Sequence, residues 1–175
     1  MERIGGLSVV VPPVLGMAEA DRAHYRNKAQ FPVRAGEKGL RAGFFAPRSH
    51  RLVPVEACQI QSRASQRLMP VILDFFWRKG IAAYDEALHT GLVRHVLIRE
   101  GHATGQVLVC VVINGTSLPH GREFVDLLSG EGVQSISINR NRERTNVILG
   151  PETVTLWGDA YIEDRIGDLK FRISP

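Results

Sequence analysis

Arg26, Lys28 and Gln30 stand at every second position of the run Tyr25-Arg26-Asn27-Lys28-Ala29-Gln30-Phe31-Pro32-Val33. On an extended segment, side chains two apart share a face. Two cations and an amide in line can follow successive phosphates or meet base edges. The same row also suits a solvent-facing edge strand, where cationic side chains deter edge-to-edge pairing.

A second group lies in Gly91-Leu92-Val93-Arg94-His95-Val96-Leu97-Ile98-Arg99. Strict alternation puts Arg94 with Leu92, Val96 and Ile98, and His95 with Arg99 on the other face. A guanidinium within an apolar strand face is costly unless paired. Arg94 is therefore expected to meet an internal carboxylate or to point into a groove. His95 reads as a structural histidine before it reads as a catalytic base. Arg140, Arg142 and Arg144 alternate in the same way and would share one side if their strand persists. Solvated surface and RNA contact are both open to them.

Covalent chemistry finds little support. Neither Cys58 nor Cys110 has a partner at metal-ligand or Cys-x-x-Cys spacing. Cys110 sits in an apolar strand pattern. The sequence holds no Gly-rich phosphate loop and no serine-nucleophile elbow. Binding residues are present without a nucleophile, so no catalytic residue is assigned.

The elements that position these residues follow from periodicity. Residues 30–46 read as a strand, a turn at Gly36-Glu37-Lys38-Gly39 and a return strand. Val53 and Val55 mark a further short strand. Ile60, Ala64, Leu68, Val71 and Phe75 recur at helical steps over 60–79, with Pro70 as a kink or a first-turn residue and Gly80 as the stop. Leu92–Glu100 and Gln106–Ile113 form a hairpin whose second arm has no solvated face. A second helix opens at Pro119 and ends at Gly130 and Gly132, with Phe124, Leu127 and Leu128 as its buried stripe. Ser135–Asn141 is another strand, and residues 154–174 hold two or three short ones around Gly158 and Gly167. The expected fold class is α+β, a largely antiparallel sheet with two helices packed on one face.

With 175 residues, 44% hydrophobic and 23% charged, the chain is a globular protein of one domain or two small ones. No apolar run reaches the roughly 20 residues a membrane span needs. Residues 1–8 do not read as a signal peptide, and the plain reading of location is cytoplasmic. The net charge of +4 is unevenly spread. Residues 22–51 hold eight Arg and Lys against Glu37 alone, a local +7, so the rest, with fourteen bases and seventeen acids, carries −3. A cationic patch on a mildly acidic body suits a polyanion. Residues 2–7 read as the tail of a helix ending at Gly5-Gly6, and Pro12-Pro13 as a break. Phe171-Arg172-Ile173-Ser174-Pro175 reads as a strand interrupted, as expected of a piece of a larger enzyme.

Several motifs occur together in one order: Tyr25 to Val33, Gly43-Phe44-Phe45, Ser49-His50, Cys58-Gln59-Ile60-Gln61, Tyr84-Asp85-Glu86, Gly91 to Val96 and Phe171 to Pro175. In this the chain resembles the RNA uracil-C5 methyltransferases, specifically the bacterial 23S rRNA type that makes 5-methyluridine. The resemblance implies a linker and helix remnant at 1–24 and a central α+β domain at 25–175. It implies that an N-terminal OB-like domain and a catalytic Rossmann-like domain lie outside the chain. The S-adenosylmethionine site, the Cys that attacks the uracil ring and the acid/base Glu belong to that missing domain. No cofactor is expected in this chain itself. Cys58 matches the fourth ligand of a 4Fe-4S iron-sulfur cluster, which would exist only in the intact protein. Arg26, Lys28 and Gln30 match a segment that lies against RNA, and Arg94 and His95 match a recurring pair that either contacts RNA or supports the fold. The implied partners are RNA, 23S rRNA in particular, and the remaining domains, with no membrane. A free-standing RNA-binding module and a protein-assembly domain are the alternatives.

Overall fold

The computed structural model describes residues 22–175, preceded by residues 5, 6, 8, 10 and 12–19. Of the helix tail read over 2–7, residues 2–4 and 7 lie outside this set. Over described residues 22–175 nine strands and two helices follow in the order β1 (Lys28–Gly36), β2 (Gly39–Phe45), β3 (Leu52–Pro54), α1 (Arg63–Arg78), β4 (Val93–Glu100), β5 (Val107–Ile113), α2 (Gly121–Gly130), β6 (Ser135–Arg140), β7 (Glu152–Trp157), β8 (Ile162–Ile166) and β9 (Leu169–Ile173). The first seven strands form one sheet in the order β3-β2-β1-β4-β5-β6-β7, and β8 and β9 form a separate hairpin. All pairings are antiparallel except β5 with β6, which run parallel. That exception arises because α2 carries the chain back between them, and a helical crossover returns a strand in the same direction.

The expected α+β architecture is therefore what forms, with both helices on one face. α1 contributes Leu68, Ile72, Phe75 and Phe76, and α2 contributes Phe124 and Leu128, to a core shared with Phe31, Val96, Ile98, Val109 and Val111 of the sheet. Phe124 joins the two helices, its ring 5.2 Å from Phe75 and 5.4 Å from Phe76. α1 begins three residues later than its apolar period, because the Ser62 hydroxyl accepts from the Ser65 N–H and so caps the helix. Pro70 lies inside it on the exposed side. Gly80, at φ +65°, ends it: the Gly80 and Ile81 N–H groups turn back to the carbonyls of Trp77 and Phe76.

The opposite face is split. Over β4 and β5 it carries Leu97, Leu108, Cys110 and Val112, which are covered by Ile162 of β8 together with Ile148, Leu149 and Ile173. This cover leaves β5 buried on both faces, as its unbroken apolar run requires. Over β1 and the ends of β4 the same face is polar, and Lys28 is exposed there. Among the described residues no helix is long and apolar enough to cross a membrane.

Candidate nucleic-acid interface

The β1–β4 ladder aligns Lys28 with Arg99, Gln30 with Leu97 and Pro32 with His95. Ala29, Phe31 and Val33, at the intervening positions of β1, pack into the helix-side core. By alternation Lys28, Gln30, Pro32 and Arg34 occupy the opposite face. Lys28 and Arg99 are thus cross-strand neighbours of like charge, an arrangement that weakens a sheet. Burial lowers the pKa of the Arg99 guanidinium, and its Nε has no partner among the described residues. Arg26 lies just before β1, exposed, its backbone held by Ile60 and Ser62 at the entry to α1. The structure therefore brings Arg26, Lys28 and Gln30 into one neighbourhood, with Lys28 and Gln30 sharing a sheet face.

Arg94 departs from strict alternation. The ladder with β5 pairs Val93 with Ile113 and His95 with Val112, so Arg94 is the extra residue of a bulge. The bulge moves it off the apolar face expected for it and beside His95, and the two line one cavity. Among the described residues no carboxylate pairs with it. Its guanidinium donates to the carbonyls of Asn141 (2.9 Å), Glu143 (2.8 Å) and Thr145 (3.1 Å), and its carbon lies 4.5 Å from the Tyr84 ring centroid. At 4% exposed, Arg94 holds the segment after β6 in place. His95 is 9% exposed. Burial, with Arg34 and Arg94 beside it, lowers its pKa to about 4, so the ring is neutral at pH 7.

Around this pair stand residues that the sequence placed in motifs without giving them a part in a site. Glu86 accepts from Arg34 at 3.3 Å and lies 2.8 Å from Nδ1 of His50. The His50 ring lies near parallel to Phe45, and the Arg34 guanidinium sits over the Phe45 ring at 5.2 Å. Arg34 keeps the period of Lys28 and Gln30, so extending that row would have found it. Glu86 and Phe45 come from distant loops and strands, and no local pattern joins them.

Arg140 does not continue a cationic row. β6 ends there, and its guanidinium pairs with Glu152 at 2.6 Å and donates to Thr116 O at 2.7 Å. Arg142 and Arg144 lie beyond the strand, in the irregular segment that follows it. Cys58, partly buried, lines a cleft of about 380 Å³ between β2 and α1, where Phe31, Met69 and Leu73 form apolar walls. Among the described residues no three His, Cys, Asp or Glu side chains converge on a metal position. A cluster held by four thiolates would take only one of them from these residues. Burial pushes the Cys110 thiol up to about 11, which leaves it unreactive.

No protein-family model matches the chain. Three curated bacterial proteins match it closely, each carrying the name uncharacterized RNA methyltransferase. One from Halalkalibacterium halodurans is 43% identical over 99% of this chain, and one from Clostridium tetani is 38% identical over 99%. One from Oceanobacillus iheyensis is 41% identical over 100%. The chain spans only 38% to 39% of the length of these relatives. Its fold is also found in the Pyrococcus abyssi tRNA (uracil-54, C5)-methyltransferase, solved in complex with S-adenosyl-L-homocysteine. The two superpose with a TM-score of 0.72 at 23% identity, covering 99% of this chain and 39% of that one. The resemblance read from the motifs holds at this level: the chain is homologous, over essentially all its length, to one segment of the bacterial RNA methyltransferases.

Proposed function

We propose that this chain is the central, RNA-positioning domain of an S-adenosylmethionine-dependent RNA uracil-C5 methyltransferase acting on 23S rRNA in the cytoplasm. Methyl transfer belongs to a Rossmann-like domain, and further RNA contact to an OB-like domain, both outside residues 25–175. The single observation that carries this reading is the Lys28–Arg99 pair. Two cations placed directly opposite each other cost stability, and a polyanion lying across both removes that cost. Arg26 extends the charge, and Gln30 offers an amide to a base edge or ribose. Arg94 and His95 act behind this row, Arg94 by fixing the wall that the row leads to. In the intact protein Cys58 supplies one thiolate to an iron-sulfur cluster, whose part is structural support. The relatives' name and the ligand of the Pyrococcus enzyme favour RNA as substrate and S-adenosylmethionine as donor.

The test is RNA affinity measured across a salt series with a uridine-rich stem-loop transcript. Arg26→Ala with Lys28→Ala should weaken binding and reduce the slope of log affinity against log salt by about one for each phosphate no longer neutralised. An unchanged slope and affinity would mean that the row is a solvated sheet edge, as in a domain that meets only protein.

A further inference from the structure

A second cavity opens beside the cationic row. It encloses about 290 Å³ and is reached from the β1–β4 ladder, since His95 is the partner of Pro32 and Arg34 follows on β1. Two of its lining residues carry buried nitrogens with no hydrogen-bond partner among the described residues, Nδ1 of His95 and Nε of Arg94. Both residues are more than nine-tenths buried. Unpaired buried polar atoms are costly, so a group that satisfies them relieves that cost on binding. The rim adds a flat surface, the paired rings of Phe45 and His50. It also adds the Glu86 carboxylate, which repels an anion and accepts from an amide or amine.

We propose that this cavity receives one unstacked, carbonyl-bearing nucleobase of the bound RNA, a reading that rests on RNA being the ligand of the open β1–β4 face. The base stacks at Phe45 and His50. Its carbonyl oxygen takes the Arg94 Nε–H, and its ring N–H or amino group faces Nδ1 of His95, with Glu86 at the rim. From Lys28 to Arg34 the strand advances about 20 Å, so a nucleic-acid backbone can cross the Lys28–Arg99 pair while one base turns down at the far end. The neutral ring of His95 fits this occupant, because an uncharged imidazole can accept or donate to a base edge.

The experiment compares an eight-nucleotide oligouridine, an oligoadenosine and an abasic ribose-phosphate oligomer of equal length, titrated against the full chain. Oligouridine should bind about five-fold or more tighter than the abasic oligomer, as expected for one stacked base, and tighter than oligoadenosine, which lacks the carbonyl. Phe45→Ala should abolish the preference over the abasic oligomer. His95→Phe, which keeps a ring in the buried position, should weaken oligouridine while leaving the abasic oligomer unchanged, with folding intact by thermal melt. Lys28→Ala should weaken all three oligomers equally. Equal binding of oligouridine and the abasic oligomer to the wild type, with both still salt-sensitive, would overturn the base pocket while leaving RNA as the ligand. Oligouridine affinity left unchanged by His95→Phe would also overturn it. If none of the oligomers binds, the RNA reading fails first.

Discussion

At the scale of single residues, His95 is a titratable group kept neutral by its place. Burial disfavours the imidazolium, and Arg34 and Arg94 add repulsion against the weaker attraction of Glu86. Its pKa falls from 6.5 to about 4, so the unfolded chain binds the proton more readily than the folded one between these values. Stability contributed by the neutral ring is complete above pH 6.5 and is lost as pH falls from there toward 4, by on the order of 3 kcal/mol. Chemical denaturation from pH 7 to pH 4 should show this loss, and His95→Phe should flatten that part of the profile. An unaltered profile in the variant would assign the acid sensitivity to other groups. Arg94 shows the complementary device. A buried cation without a carboxylate is tolerated because three carbonyls and the Tyr84 ring take its donors and its face.

At the scale of elements, the β1–β4 ladder sets two like charges in register. Lys28 faces Arg99 directly, with Gln30 opposite Leu97 two positions on. Removing one charge should relieve repulsion, so Lys28→Ala should raise the unfolding free energy by a few tenths of a kcal/mol, within the roughly 0.2–1 kcal/mol range of cross-strand pairs. The same variant should bind RNA more weakly. Urea denaturation together with RNA titration checks both signs. Loss of stability together with loss of binding would make Lys28 a structural residue whose removal damages the site indirectly.

At the scale of the whole molecule, the β8–β9 hairpin is the element with the least support of its own, since a two-stranded ribbon is marginal alone. Ile162 packs it onto the sheet, and Asp164 fastens it. The Asp164 carboxylate accepts from the His102 and Ala103 N–H groups at 2.8 and 2.9 Å. Burial raises its pKa, but these and neighbouring backbone donors outweigh that and hold it below the usual carboxylate range. Asp164→Ala should speed amide exchange in residues 162–173 by about tenfold while the central strands β4 and β5 keep their protection. Uniform acceleration across the sheet would show that the hairpin unfolds only with the whole.

Much of this architecture is written locally. Alternation and helical period mark the strands, both helices and the buried second arm of the central hairpin, because 2.0- and 3.6-residue repeats must match the faces that leave water. The row from Arg26 to Gln30 is legible for the same reason. Tertiary structure decides what alternation cannot express. The bulge at Arg94 moves that side chain to the opposite face through a slip in pairing with β5, and sequence alone carries no record of its partner's register. The early end of β6 takes Arg142 and Arg144 out of line with Arg140. Lys28 meets Arg99, and Phe45, Glu86 and His95 surround one cavity, only once β1 is paired with β4. Periodicity specifies which face a residue takes, whereas the neighbours it meets there depend on long-range pairing, and in this chain the site is made of those neighbours.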